Sequence, residues 1–181
     1  MINKGDFLIS TPESLGDYYF NRSIVILTEV NQDEIVGFIV NKELDYTLND
    51  LDNSVLNKEI KIFSGGPVNQ DNLYFIHRAP HKIDGSIHIV SDMYWGGNFG
   101  QVKKLINDEI LSIDDIRFFL GYSGWNADQL KDELKNQSWI IDELEESLFD
   151  WDVLKLWEDR LCVKGNKYKL WVNAPKDISL N

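Results

Sequence analysis

Cysteine is nearly absent: Cys162 is the single thiol among 181 residues. One thiol excludes an internal disulfide and any cysteine-based zinc site, and it suits a reducing cytoplasm, the expected location. Basic side chains are also scarce. Eighteen Lys and Arg stand against 30 Asp and Glu, a formal charge of -12. Binding to nucleic acid or to an anionic membrane needs clustered Lys and Arg, so both are disfavoured. No apolar run approaches the length of a membrane helix. No apolar stretch follows Lys4, so nothing near the N-terminus reads as a signal peptide. Internal repeats and low-complexity linkers are lacking too.

What is present suits one domain. A chain of this length can bury about 70% of its unfolded surface. Six Trp and nine Phe promise aromatic cores or an aromatic interface. Short β-branched or aromatic runs read as strands over 6–10, 23–28, 35–40, 61–63, 73–77, 86–90, 116–122, 138–141 and 168–172. The run at 23–28 is nearly all apolar, as in a strand covered on both faces. It should form a hairpin with 35–40, in which Gly37 marks a close backbone approach or a bulge. Residues 93–97 read as a turn-rich loop.

Helices should lie at 99–109 and 127–136. Asn98 with Gln101, and Asn126 with Gln129, have capping-box spacing, and Thr47 with Asp50 marks one or two further helical turns. Leu154, Trp157 and Leu161 mark a last helix that stops near Gly165, and a polar tail begins at about 166. Strands crowd the first half and helices the second, so the order favours α+β with a mixed, largely antiparallel sheet. The most specific stretch is Gly121-Tyr-Ser-Gly-Trp125, read as a sharp strand-to-helix corner. There Trp125 and Leu130 form a hydrophobic staple.

Several stretches together resemble the YqgE/AlgH family of bacterial proteins. They are Gly5-Asp-Phe-Leu-Ile-Ser-Thr-Pro12, Phe20-Asn-Arg-Ser23, Gly37-Phe-Ile-Val-Asn41, Gly65-Gly-Pro67 and Gly121-Tyr-Ser-Gly-Trp125 with Gln129-Leu130. They run in the family's order and span roughly residues 5–165. The resemblance implies a compact α+β domain with a barrel-like sheet flanked by helices. It supplies no catalytic residues to carry over. Some members bear a transcriptional-regulator label, which does not imply a DNA-binding motif. The chain departs from the pattern at Asn126, where many members have Gly, and after Gly165.

The candidate sites each have a plain structural reading beside the functional one. Gly121-x-Ser123-Gly124 invites comparison with a nucleophile elbow, but Trp125 stands where that motif needs Gly, and every His precedes the Ser. The plain reading is a corner that orders the fold. His77, His81 and His88 lie close in sequence, yet Pro80 breaks the helical spacing that would pair the first two on a metal. Solvated loop histidines are the simpler reading, with His88 facing solvent. No metal or cofactor is expected.

Ser64-Gly-Gly-Pro67 could form an anion-binding nest, with Gly65 and Gly66 contributing N–H groups, or simply a tight turn. It lacks the P-loop and dinucleotide signatures. Arg22 and Asn41, beside apolar strands, could line a pocket or bind backbone at a strand end. Nine carboxylates between 128 and 152 (Asp128, Asp132, Glu133, Asp142, Glu143, Glu145, Glu146, Asp150 and Asp152) could dock a basic protein partner or form a solvated face.

The first functional reading is a non-enzymatic binding or regulatory module, acting through a protein partner or a small ligand. The alternative is a hydrolase with its site near Ser123 or the three histidines. Direct transcriptional regulation ranks last, because the predicted helices are separated by a strand and the second is acidic. Specific duplex DNA binding should therefore be absent at physiological salt. An anisotropy titration showing sub-micromolar preference for one sequence over random duplex would contradict this.

Overall fold

The computed structural model describes residues 1–14, 16–143 and 147–174. Among these, β1 (Phe7–Ser10), β2 (Ile24–Val30) and β3 (Ile35–Ile39) run antiparallel, side by side. Their near-continuous apolar sequence follows from coverage on both faces. Phe7, Ile9, Ile24, Ile26 and Phe38 enter one core, while Leu8, Val25, Leu27 and Ile39 enter another. The β2–β3 hairpin closes on Asn31, whose Oδ1 accepts the N–H groups of Asp33 (3.1 Å) and Glu34 (2.8 Å). Gly37 makes the close approach, and a bulge lies opposite it on β2. A Cβ there would lie 2.6 Å from the Ile26 carbonyl oxygen. The register also shifts between Leu27 and Glu29.

The next elements are β4 (Glu43–Thr47), α1 (Leu48–Leu51), β5 (Lys61–Ser64), β6 (Val68–His77), β7 (Ile87–Val90) and β8 (Met93–Trp95). After them come α2 (Phe99–Asn107), β9 (Ile116–Trp125), α3 (Ala127–Lys135), β10 (Trp139–Asp142), α4 (Leu156–Val163) and α5 (Lys169–Val172). The fold is α+β, with ten strands and five α-helices among the described residues.

β9 joins everything. Along one side it pairs antiparallel with β6. Along the other it pairs first with β5, in parallel at Phe118–Leu120, and then with β3 at Ser123–Trp125. The path runs β10-β1-β2-β3-β9-β6-β8-β7, with β5 and β4 branching from β9. Among the described residues its end strands do not pair with each other, so the barrel-like sheet that the resemblance implied is not closed. Successive residues of β9 serve opposite faces. Phe118 enters the core beneath α1 and α2, and Phe119 enters the core that Trp157 and Leu161 of α4 cover.

Between β5 and β6 the chain crosses β9 almost at backbone contact. A Cβ on Gly65 would lie 2.2 Å from the Gly121 carbonyl oxygen, and one on Gly121 would lie 2.6 Å from that of Gly66. Gly66 (φ 148°) and Gly121 (φ 68°) also hold positive φ, which glycine adopts without strain. The Gly65 carbonyl accepts from the Ile39 N–H (2.9 Å) and from Ser123 Oγ (3.0 Å), so it ties β3 and β9 to the end of β5.

The helix starts follow their caps. Asn98 and Asn126 accept the N–H of Gln101 (3.1 Å) and Gln129 (2.8 Å). The two glutamines do not reach back to the caps. Gln101 grips Asp84, and Gln129 Nε2 donates to Glu133 Oε1. Asp50 accepts both the N–H and the hydroxyl of Thr47 at the start of α1. Trp125 is buried in one core with Leu130, as a staple requires. Its indole N–H and that of Trp139 both donate to Glu133 Oε2, at 2.9 Å and 2.7 Å.

Four sequence expectations change. Residues 121–125 are not a corner: β9 continues to Trp125, and Asn126 alone leads into α3. Residues 93–95 are a strand, not part of a loop. β4 was not foreseen. Residues 169–172 are helical, after a 3-10 turn at Asn166–Tyr168, rather than a final strand. Tyr168 and Val172 lie four apart and pack on the core, while Leu170 and Trp171 face out. The remainder of the expected tail, 175–181, lies outside the described residues.

Trp125→Ala should cost about 3–5 kcal/mol, because a largely buried ring is removed from a packed core. Asn126→Ala should cost about 0.5–2 kcal/mol through the lost cap. Ser123→Ala should cost about 1 kcal/mol, since Gly65 keeps one of its two donors. Gly65→Ala should leave no folded protein at all. Urea denaturation of the first three variants checks the order, circular dichroism of the fourth checks the loss of fold, and a Trp125→Ala loss under about 1 kcal/mol, the range of surface changes, would contradict the assignment.

Candidate functional site

A cleft of about 1040 Å³ lies between β4–α1 and the start of β6. Its floor is apolar: Leu44 from β4, Leu73 from β6, Leu120 from β9 and Phe99 from α2. Tyr18 and Tyr19, from the segment before β2, stand at its mouth with Tyr46 of β4. Gln70 Nε2 donates to the Tyr19 hydroxyl (2.8 Å), bridging the β6 wall to that segment. The β6 wall bulges. Asn69 has φ 48°, and the register to β9 shifts between Val68 and Leu73.

Among the described residues, Lys42 is the one cation on the lining. Its ammonium donates to the Tyr19 carbonyl, and its own carbonyl accepts the Ser64 N–H (2.8 Å). Burial pushes Lys42 down to about 8, against the opposing pull of Asp17. The carboxylates of the wall are mostly partnered. Glu43 meets Lys61 at 3.0 Å and Asp52 meets Lys103 at 3.0 Å. The Ser54 hydroxyl, with Lys103 and the Ser54 N–H, holds Asp52 down to about 2.

The residues singled out in the sequence lie around this cleft without forming its wall. Asn41 Oδ1 accepts the Ile24 N–H (2.8 Å), and its Nδ2 donates to the Arg22 carbonyl (2.9 Å), so it fixes the entry to β2. Arg22 reaches the other way. It donates to the carbonyls of Trp171 (3.2 Å) and Ala174 (2.6 Å), and its guanidinium lies 5.1 Å from the Trp157 ring centre. Gly65 and Gly66 are sealed in the crossing over β9. Their neighbours Lys42 and Ser64, each one position from a candidate, are the lining residues.

Ser123 is fully buried, and its hydroxyl donates to Gly65. The three histidines neither join it nor each other. His77 pairs in register with Ile116, seven residues from Ser123 along β9, a span of about 23 Å in extended chain. His81, in a loop, and His88, on β7, are exposed as expected, but His77 is not: its exposure is 0%. His77 Nδ1 accepts the Ala79 N–H (3.0 Å), so Nε2 carries the proton, with the Gly96 carbonyl at 3.2 Å. No group of three or more metal-ligating side chains occurs among the described residues.

The acidic stretch is dispersed. Asp128 and Asp132 pair with Lys131 and Lys135 on α3. Asp142 pairs with Lys164, Asp150 with Arg78 and Asp152 with Lys155. Glu133 holds the two indoles. Glu145 and Glu146 lie outside the described residues.

Burial lowers the His77 pKa, partly opposed by the Gly96 carbonyl. The sign follows from linkage. An unfolded histidine takes its proton near pH 6.5, whereas folded His77 takes it only at lower pH. The stability that depends on neutral His77 is therefore complete above about pH 7 and declines as pH falls below about 6.5. Urea midpoints at pH 7.5 and 5.5 should show that decline, and His77→Gln should flatten it. An unchanged slope in the variant would remove His77 as the cause.

The AlgH-like family model (DUF179) matches residues 7–169. A UPF0301 protein of Cytophaga hutchinsonii is 44% identical, with both chains covered in full. A UPF0301 protein of Bacteroides fragilis is 37% identical, over all of this chain and 92% of its own. Among solved structures, a protein of Corynebacterium diphtheriae matches with a TM-score of 0.76 at 18% identity, covering 96% of this chain and 93% of that one. The AlgH protein of Pseudomonas aeruginosa matches with a TM-score of 0.70 at 24% identity, covering 95% and 94%. At those identities the two structures bear on fold alone. Over residues 7–169, and with relatives of 44% and 37% identity along its whole length, this chain belongs to the AlgH-like family.

Proposed function

We propose that the protein is a non-enzymatic binding module whose ligand is a small molecule held in the cleft between β4–α1 and β6. One observation carries this reading. A concavity of about 1040 Å³ combines an apolar floor with a few convergent polar groups, Lys42, Ser64, Gln70 and the tyrosines. Cavities that take small organic ligands have this size and this division of labour. A protein partner on residues 128–152 is less well supported, because most carboxylates there already hold a cation or an indole.

The hydrolase alternative has little support in the geometry. The Ser123 hydroxyl is engaged and closed to solvent, and the buried histidine, on β6, pairs with the far end of β9. A regulatory role, as the label on some relatives suggests, would work through the ligand rather than through DNA, given the charge of -12. No described helix is long and apolar enough to cross a membrane. With the single Cys162, this suits action in the cytoplasm.

The test is a fragment screen of neutral, cationic and anionic compounds, followed by backbone amide shifts. Shifts should concentrate at Tyr19, Tyr46, Gln70 and Leu73. Hits gathered instead in the apolar groove beside Ile2 and Leu134, or no hits at all, would defeat the proposal.

A further inference from the structure

We propose that the ligand of this cleft carries an anionic group, a carboxylate or a phosphate, which pairs with the Lys42 ammonium while its apolar or planar body lies on the floor. This rests on the reading of the cleft as a ligand site, and it adds the ligand's charge.

The argument starts from an unfinished interaction. An ammonium has three N–H donors. At Lys42 the one protein acceptor among the described residues is the Tyr19 carbonyl, a neutral group. No salt bridge reaches it: Asp17 attracts it only from beyond ion-pair distance and accepts the Tyr19 and Phe20 N–H groups, Glu43 is engaged by Lys61, and Asp52 by Lys103. Burying a charge without a counter-charge is costly, and folded proteins ordinarily pair such groups. The depressed Lys42 pKa is the expected mark of that incomplete environment.

A bound anion would supply what the wall omits. Two N–H donors remain for it, and Leu44, Leu73 and Phe99 offer an apolar surface to the rest of the molecule. The overall charge of -12 does not decide against this. Exposed charges beyond about 8–10 Å are screened at physiological salt, whereas a partly buried contact is not. Asp71 is the wall carboxylate left to repel the anion. It stands on the β6 bulge, and Lys42 stands across the cleft at the start of β4.

The competing account is that Lys42 merely pins the segment carrying Tyr19. In that case its removal would alter stability and leave ligand charge irrelevant. Three probes of similar shape separate the accounts: phenylacetate, phenyl phosphate and the neutral phenylacetamide. In the wild-type chain, at least one anion should bind at the cleft about tenfold more tightly than the amide, equivalent to about 1.4 kcal/mol. The two anions distinguish carboxylate from phosphate. Lys42→Gln should bring that ratio to about one, and Lys42→Arg should keep most of it.

If Lys42→Gln does not fold, the ¹³Cε–Hε signal of Lys42 in the ¹³C-labelled wild-type chain gives a second measurement. That Lys42 signal should move with the preferred anion and stay still with the amide. Equal binding of amide and anions at the cleft would overturn the anionic assignment and leave the cleft reading intact. So would a preference that survives Lys42→Gln, or a Lys42 signal indifferent to the anion. If none of the three probes perturbs the cleft, the ligand-site reading and this inference fall together.

Discussion

Everything in this fold depends on two backbones passing each other without side chains between them. Where Gly65 and Gly66 cross Gly121–Ser123, even a methyl group would overlap a carbonyl oxygen. The crossing fixes the end of β5 against β9. Because β4 pairs with β5, it also sets where β4 stands. The cleft is the space left between β4 and the bulged β6, so its width follows from a contact at the centre of the sheet. The Gly65 carbonyl, shared between β3 and Ser123, makes the same point from the hydrogen-bond side. Ser123 attracts notice as a nucleophile in sequence, and its buried hydroxyl serves as a fastener.

Much of the architecture could be read from the chain, and the exceptions have physical causes. β1, β2 and β3 are legible because burial on both faces leaves an unbroken apolar run. Asn98 and Asn126 are legible because a cap is a local interaction that needs no knowledge of the rest. β4 escapes notice because its residues are largely exposed or half-buried, so it carries little apolar pattern. The start of β6 is polar for the same reason. The segment 168–172 is ambiguous by periodicity: Tyr168, Leu170 and Val172 alternate as in a strand, while Tyr168 and Val172 also share one helical face. Docking against the α4 core chose the helix.

The site was legible only to within one residue. Asn41 and Gly65 were singled out, and both turn out to hold backbone, while Lys42 and Ser64 beside them line the cleft. Nothing local distinguishes Lys42 from any other lysine. Its half-buried, unpaired state arises from Tyr19, 23 positions earlier, and from ion pairs that engage the nearby carboxylates. His77 was misread for a related cause. A histidine near a proline-containing loop looks solvated, yet the Ala79 N–H and the Gly96 carbonyl satisfy both ring nitrogens in the interior.

The grip of Arg22 on the carbonyls of Trp171 and Ala174 joins positions 149 and 152 residues apart. Chains emerge from the ribosome N-terminus first, and contacts of such separation close late. While residues 171–174 are still inside the exit tunnel, β2 can already pair with β3, but Arg22 must wait. The face of β1 that Trp157 will cover, through its bond to Ser10, is bare over the same interval. β10, the other neighbour of β1, also arrives about 130 residues after it. The nascent protein therefore passes through a stage in which an apolar N-terminal sheet is complete in sequence yet open along one edge and one face. That is the form for which a holding chaperone would have most to do.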